Sequence, residues 1–305
     1  MTSRWINALP RPLAFVFSGG ANLGAIQVGM LKALHEEGFV PDLIVGTSVG
    51  ALNGATIANH GMAGGIEILE EIWVGLNKDD IFPGGVWSQA MTLVRSWLHL
   101  YENSGLAKVI RHALTVDRLE DLATPFAVTA TELVTHRSVL FTAGKIEPLL
   151  LASTSLPSIY PPVEIDGINY IDGGITNGTP MNSALSLGAK SMVVLDAGGN
   201  SCTPGDPPKH VAELLTTVLS SALRQKVLVE APRIAQHLPV LFLPRPCTDG
   251  LSLVDFSSGR ELMDEAYAMN CQFLAEAAVP RAGKMTGSPH SHQPEVDSAL
   301  QMSMA

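Results

Sequence analysis

The segment 46–50 reads GTSVG and matches G-x-S-x-G, a pattern that presents a serine hydroxyl for nucleophilic attack. Because the chain holds 28 glycines among 305 residues, the pentapeptide alone is not diagnostic. An apolar run precedes Ser48 and a helical run follows it, as the pattern requires. Gly46 and Gly50 permit a sharp turn that places Ser48 at a helix N-terminus, where free N–H groups favour negative charge. An ordinary N-cap serine is the alternative interpretation.

A glycine-rich loop, SGGANLG at 18–24, follows the first apolar run and opens the first helix. Loops after neighbouring parallel strands meet at the carboxyl edge of a sheet. Successive backbone amides of this loop would then point at one spot beside Ser48 as an oxyanion hole, where each donor typically contributes ~3 kcal/mol. A dinucleotide fingerprint, G-x-G-x-x-G, fits less well, because Ala21 takes its middle position and Asp42 precedes the second strand instead of ending it.

A serine hydroxyl needs a proton acceptor, and the compact motif YIDGGITNGTP offers Asp172. None of the nine histidines lies in a comparable motif with an obvious partner. An exposed carboxylate, with a pKa of about 3.9, is a weak base, but burial would raise its pKa and strengthen it. The alternative is an aspartate in an ordinary β-turn before two glycines.

The elements around these motifs predict a parallel sheet with helices on its faces. LAFVF at 13–17 is a short apolar strand, 24–38 has helical spacing, and VPDLIVG with the following Gly/Ala-rich segment repeats the pair. Such a βαβα opening requires right-handed crossovers. Further strands are predicted at 125–134, 138–144, 191–199 and 240–244, with a hairpin ending at Asp172 and long helices after residues 210 and 258.

Composition limits the classes of function. The net charge of −10 and the pI near 5.3 argue against nucleic acid as a partner, because phosphate binding needs a basic surface. The three cysteines, Cys202, Cys247 and Cys271, have no zinc or disulfide spacing, which predicts reduced thiols.

The first residues do not indicate a signal peptide. The start, MTSRWINALPRP, lacks an apolar segment with a cleavage site, so we expect a cytoplasmic protein, with peripheral membrane contact left open. The long uncharged stretches 13–31 and 43–66 are interrupted by turn residues and are interpreted as strand–turn–helix units of a soluble core.

Taken together, the motifs resemble the patatin-like phospholipases, a family that uses a Ser–Asp dyad. Five matching segments occur in order between Pro12 and Asp196: the glycine-rich loop, GTSVGALNGA, TATELVTHRSVLFTAG, ASTSLPSIYPP, and YIDGG with Asn177 and Pro180 after it. The resemblance implies a three-layer αβα fold with a central, mostly parallel sheet. It also implies a lipid or lysophospholipid acyl ester as substrate, without metal or other cofactor.

By this resemblance Ser48 is the nucleophile and Asp172 its base, and the amides of Gly19, Gly20 and Ala21 form the oxyanion hole. One departure concerns the glycine loop, which in the family reads Gly-Gly-Gly-x-basic-Gly. Here Ala21 replaces a glycine and Leu23 stands where an arginine or lysine is expected. Ester hydrolysis tolerates this departure better than recognition of a phosphate head group does.

The predicted organisation is a single domain over 1–280, with the motif-bearing core at 12–196, a helical extension at 208–280 and a disordered tail at 281–305. The segment 86–101 contains Trp87 and Trp97 and is either core or a cover over an apolar site. Oligomeric state and the choice between hydrolysis and acyl transfer stay open.

Two other functions stay open. An α/β-hydrolase triad, Ser48…Asp196…His210, has the right chain order. However, that fold usually places several strands before its nucleophile, and here only one complete strand comes before the strand that leads into Ser48. A non-catalytic lipid- or nucleotide-binding protein on the same scaffold is the other alternative, since fold does not determine function.

Overall fold

The structure of the protein, a computed structural model, describes residues 4–5, 8–77, 81, 99, 101–198, 211–248 and 256–290. The strands are β1 (Leu13–Phe17), β2 (Leu43–Thr47), β3 (Phe126–Glu132), β4 (Ser138–Phe141), β5 (Val163–Ile165), β6 (Ile168–Asp172), β7 (Ser191–Leu195) and β8 (Val240–Phe242). The helices are α1 (Gly24–Glu36), α2 (Val49–Gly75), α3 (Ser104–Ala113), α4 (Ile146–Thr154), α5 (Gly174–Asn177), α6 (Met181–Ser186), α7 (Val211–Ala235) and α8 (Gly259–Glu276).

The strands form one mixed, mostly parallel sheet in the order β5-β6-β3-β2-β1-β7-β8, with β4 also paired to β3. The five strands β3, β2, β1, β7 and β8 run parallel to one another, whereas β4 and β6 pair with β3 in the antiparallel direction. The opening β1-α1-β2-α2 places β1 beside β2, as the βαβα pattern predicts. The loops that follow these two strands therefore lie side by side at one edge of the sheet.

Alternation of side chains along the strands places hydrophobic core residues on both faces of the sheet. In β1, Phe15 and Phe17 pack with α1 and α2 on one face, whereas Ala14 and Val16 pack with α6 and α7 on the other. Because both faces are covered, β1 is apolar throughout, and β7 is apolar apart from Ser191, instead of alternating with polar residues. The predicted three-layer αβα fold is therefore confirmed.

The two edges of β3 determine where the end of β6 lies. Val128 and Thr129 of β3 pair with both β2 and β4, so these two strands occupy opposite edges. Ala130 and Thr131 pair with both β4 and β6, so β6 also lies opposite β4. It follows that β2 and β6 share one edge of β3, end to end. Asp172, paired with Ala130, therefore lies just beyond the carboxyl end of β2.

The C-terminal part differs from the prediction in one respect. The tail is predicted to begin at residue 281, but residues 281–290 are described, and Thr286 exchanges two backbone hydrogen bonds with β8. The segment 281–290 thus pairs with the edge of the sheet. Its low content of hydrophobic residues does not predict this pairing. Residues 291–305 lie outside the described residues, as do nearly all of 86–101, the predicted cover.

The cysteines differ in part from the prediction, whereas the two uncharged stretches agree with it. Cys271 is free, but Cys247 is disulfide-bonded, so the expectation of reduced thiols is wrong there. Cys202 lies outside the described residues. The stretches 13–31 and 43–66 form strand–turn–helix units, as predicted. Within the described parts of the chain, no helix is both long and apolar enough to cross a membrane.

Candidate active site

Ser48 lies on a tight turn between β2 and α2, in an unusual backbone conformation. Its φ of 54° and ψ of −130° are strained for a residue with a side chain, at a cost of about 1–3 kcal/mol. Close approach of two backbones holds this turn: a Cβ on Gly50 would lie 2.3 Å from the Ser18 carbonyl oxygen. A Cβ on Gly46 would lie 2.6 Å from the Cα of Ala51. Ser48 makes no side-chain capping hydrogen bond to α2, which argues against the ordinary N-cap interpretation.

Substitution of Gly50 by alanine is expected to destabilise the protein by about 3 kcal/mol, because the new methyl group meets backbone atoms that cannot rotate away. Equilibrium unfolding in urea measures this change. Gly64→Ala is the matched control in the same helix, since its Cβ meets only the His60 Cβ at 3.6 Å. The control is expected to raise stability by about 0.5–1 kcal/mol. Equal effects of both substitutions would contradict a packing requirement at the turn.

A direct hydrogen bond joins the two predicted catalytic side chains. The Ser48 Oγ donates to Asp172 Oδ2 at 2.7 Å, and the Gly174 N–H donates to Asp172 Oδ1 at 2.6 Å. Asp172 is only 4% exposed. One oxygen of the carboxylate is thus held by the backbone, while the other faces the serine hydroxyl.

Burial gives Asp172 the character of a base near neutral pH. Loss of hydration raises its pKa to about 6, against the lowering effect of the hydrogen bonds from Ser48 and Gly174. A carboxylate with this pKa is ionised at pH 7 and accepts a proton more readily than an exposed aspartate does.

We expect kcat/KM for ester hydrolysis to fall about tenfold per pH unit below an apparent pKa of about 6, because only the ionised Asp172 accepts a proton. Measurement of kcat/KM from pH 4.5 to 8 gives the apparent pKa.

Repeating the measurement with an organic cosolvent shows whether the titrating group is a carboxyl or an imidazole. Ionisation of a carboxylic acid creates charges and its pKa rises in a less polar solvent, whereas loss of a proton from imidazolium creates none. A midpoint that does not move would contradict the assignment to Asp172.

The glycine-rich loop lies against Ser48, and its three predicted donors differ. A Cβ on Gly19 would lie 3.2 Å from the Ser48 Cβ, but the Gly19 N–H already donates to the Gly178 carbonyl at 2.9 Å. The amides of Gly20 and Ala21 donate to no residue in the described part of the chain. Two of the three predicted donors are therefore available to a ligand. Ala21 adopts a positive φ of 51°, the conformation that a glycine would adopt without strain.

The end of α4 connects both halves of the site, a role that the sequence does not reveal. The Ser153 hydroxyl accepts a hydrogen bond from the Ser48 N–H at 2.8 Å. The Ser153 and Ser155 carbonyls accept from the N–H groups of Gly173 and Asp172. These residues belong to ASTSLPSIYPP, which is noticed as a motif but carries no chemical signal for this contact.

A cavity of about 260 Å³ opens above the dyad and the glycine loop. Ser48, Asp172 and the segment 19–21 line its polar side. Apolar side chains line most of the rest, including Leu52, Ile72, Trp73, Leu106, Tyr160 and Phe256. An apolar space beside a nucleophile suits a long acyl chain.

The acid of the alternative triad has a different partner. Asp196 lines the same cavity, but its Oδ2 accepts a hydrogen bond from Arg224 Nη1 at 3.1 Å. His210 lies outside the described residues, and none of the described histidines lines the cavity. The described residues therefore bring a carboxylate, not an imidazole, to Ser48. Over the same described ranges, no group of three or more His, Cys, Asp or Glu side chains could hold a metal ion.

Comparison with known proteins identifies the family. Residues 15–185, more than half of the chain, match the family described as patatin-like phospholipase. The chain belongs to the patatin-like phospholipase family. The resemblance drawn from the five motifs is therefore confirmed.

Individual relatives of this patatin-like chain are much longer than it is. Patatin-like phospholipase domain-containing protein 7 from Rattus norvegicus is 30% identical over 193 residues, which are 63% of this chain and 14% of the relative. Lysophospholipase NTE1 from Phaeosphaeria nodorum is 25% identical over 288 residues, 87% of this chain and 18% of the relative. This chain thus spans less than a fifth of either relative.

Among solved structures, VipD from Legionella pneumophila matches with a TM-score of 0.51 at 15% identity, over 87% of this chain and 67% of that one. At this level of identity the match supports the patatin-like fold alone.

Proposed function

We propose that this chain is a serine acyl-ester hydrolase that cleaves lipid or lysophospholipid acyl esters through a Ser48–Asp172 dyad. The observation that carries the proposal is the 2.7 Å hydrogen bond from Ser48 to a buried aspartate at the base of an apolar cavity. Family membership supports it, since relatives are named patatin-like phospholipase and lysophospholipase.

Acylation begins when Ser48 Oγ attacks the ester carbonyl carbon and its proton moves to Asp172 Oδ2. The carbonyl oxygen becomes an oxyanion that accepts hydrogen bonds from the Gly20 and Ala21 amides, which need no reorganisation to donate. The tetrahedral intermediate then collapses. The bond between the acyl carbon and the alcohol oxygen breaks, and the protonated Asp172 gives its proton to that leaving oxygen. The products of this step are the acyl-enzyme and the free alcohol part of the lipid.

Deacylation repeats these steps with water. Asp172 takes a proton from the water molecule that attacks the acyl carbon, and the same amides hold the oxyanion. Collapse releases the fatty acid, and the Ser48 oxygen regains its proton from Asp172. The Gly174 N–H holds the second carboxylate oxygen throughout, so that Oδ2 stays directed at Ser48.

Covalent labelling tests the nucleophile directly. A fluorophosphonate probe is expected to modify Ser48, with the label located by mass spectrometry of peptides, and the folded protein is expected to hydrolyse p-nitrophenyl esters. The dependence on acyl-chain length, from two to sixteen carbons, then reports how the cavity is filled. A folded protein that neither labels nor hydrolyses would refute the hydrolase and favour the non-catalytic lipid- or nucleotide-binding alternative.

Contact with a membrane surface during hydrolysis belongs to the proposal as well, because the substrate is a lipid. Liposome sedimentation with and without substitution of the apolar residues in 86–101 measures this contact. No loss of sedimentation would contradict a membrane role for that segment.

A further inference from the structure

A buried cation stands in the wall of the active-site cavity. Arg224 of α7 lines the cavity, and its side chain is only 14% exposed. Its Nη1 donates to Asp196, which is 2% exposed, at 3.1 Å. Its Nη2 is buried and has no hydrogen-bond partner among the described residues. A buried charged donor without an acceptor costs free energy, which an anionic ligand would offset.

The Arg224–Asp196 pair adjoins the glycine-rich loop. A Cβ on Gly20 would lie 2.9 Å from the Ala197 carbonyl oxygen, and a Cβ on Gly198 would lie 2.9 Å from the Gly19 carbonyl oxygen. The segment after β7, residues 196–198, therefore packs directly on the loop. The Ser18 hydroxyl reinforces this contact, because it accepts hydrogen bonds from the Ala197 and Gly198 amides at 2.8 and 3.2 Å.

We propose that Arg224 binds the phosphate of a lysophospholipid head group while the acyl ester lies between Ser48 and the glycine loop. This inference rests on the proposed function. The glycine-rich loop, SGGANLG at 18–24, carries no cation of its own. Arg224, from a distant part of the chain, supplies a positive charge in the wall of the same cavity. Asp196 fixes one nitrogen of the guanidinium, and the remaining donors suit phosphate oxygens, which a planar guanidinium binds in pairs.

Binding of non-hydrolysable ligands tests the inference without relying on catalysis. Titration calorimetry compares an ether-linked lysophosphatidylcholine with the neutral alkylglycerol of the same chain length, both below their critical micelle concentrations. Wild-type protein is expected to bind the phosphate-bearing ligand at least about tenfold more tightly, as a charge-assisted contact implies. Arg224→Gln is expected to abolish this preference. Arg233→Gln, an exposed arginine on the same helix, is the matched control and is expected to retain it.

A second variant allows for failure to fold. Arg224→Gln leaves the Asp196 carboxylate buried without its cation, which by itself destabilises a protein. The double variant Arg224→Gln/Asp196→Asn removes both charges and is also expected to lose the preference. Equal affinity of the wild type for both ligands, or a preference that survives in either folded variant, would overturn the inference.

Two further ligands distinguish a lipid head group from a soluble phosphate. Glycerophosphocholine and inorganic phosphate carry the anion without an acyl chain, and both are expected to bind at least about a hundredfold more weakly than the ether lipid, because they bury no apolar surface. Tight binding of either would reassign Arg224 to a soluble phosphate compound. Failure of the fluorophosphonate to label Ser48 would instead refute the proposed hydrolase activity, while the measured preference for the phosphate-bearing ligand would still stand.

Discussion

Replacement of Ser48 by alanine is expected to lower kcat/KM for acyl-ester hydrolysis by at least about a thousandfold, to near the uncatalysed background. The reason is that the variant has no atom to form the acyl-enzyme, whereas the oxyanion donors and the cavity remain. Initial rates with a p-nitrophenyl ester and a lysophospholipid measure the loss.

The matched control is Ser186→Ala, an exposed serine of α6 whose hydroxyl donates to the Ser183 carbonyl. It is expected to keep wild-type activity. Melting temperatures of both variants show whether a loss of rate reflects unfolding. If folded Ser48→Ala protein retained more than a tenth of wild-type activity, another nucleophile would have to be sought.

Asp172→Asn is expected to lower activity about as much as Ser48→Ala does, and at the same time to raise the stability of the folded protein. Hydrolysis falls at least about a thousandfold, because an amide cannot take the proton of Ser48 while its shape still fits between Ser48 and Gly174. Asp166→Asn, in the exposed turn of the same hairpin, is the control and is expected to leave the rate unchanged.

The effect of Asp172→Asn on stability depends on pH in a defined direction. The pKa of Asp172 is about 6 in the folded protein and about 3.9 in an unfolded chain, so between these values the folded state binds more protons. Wild-type stability therefore falls as pH rises, mostly between pH 4 and 6, and the full titration amounts to about 3 kcal/mol. Asparagine carries no such penalty. We expect the variant to be more stable than the wild type at pH 8, with the difference vanishing near pH 4.

Urea unfolding of both proteins at pH 4, 6 and 8 measures this difference. A variant that is less stable than the wild type at pH 8 would indicate that the carboxylate contributes to the fold through its hydrogen bonds more than its burial costs. The base assignment would then rest on the rates alone.

The sequence indicates the parts of this protein that depend on local patterns. The units β1-α1 and β2-α2 follow from short apolar runs, helical spacing and intervening glycines, and these are properties of neighbouring residues. Ser48 is found for the same reason, since its turn is defined by Gly46 and Gly50. Asp172 is found because two glycines follow it directly. Its place beside Ser48, however, depends on the family resemblance and not on any local signal.

Contacts between distant segments are not predictable in this way. Nothing near Arg224 in the chain indicates that its guanidinium enters the active-site cavity, because that depends on how α7 packs across the sheet. Ser153 likewise gives no sign of bonding to the Ser48 amide. The engagement of the Gly19 N–H by the Gly178 carbonyl also joins segments far apart in sequence. The pairing of Thr286 with β8 gives order to a segment whose composition suggests none.

Because β2 and β6 lie end to end along β3, this one strand determines the distance between the nucleophile and the base. Thr47, the residue before Ser48, pairs with Thr129, and Asp172 pairs with Ala130, the next residue of β3. Thr47 and Asp172 are therefore offset along the sheet by one strand step of about 3.3 Å. The two reacting groups are 124 residues apart in the chain. Loops that connect β2, β3 and β6 can therefore lengthen or shorten without moving the dyad. A single residue inserted into β3 between Thr129 and Ala130 would move Ser48 and Asp172 apart.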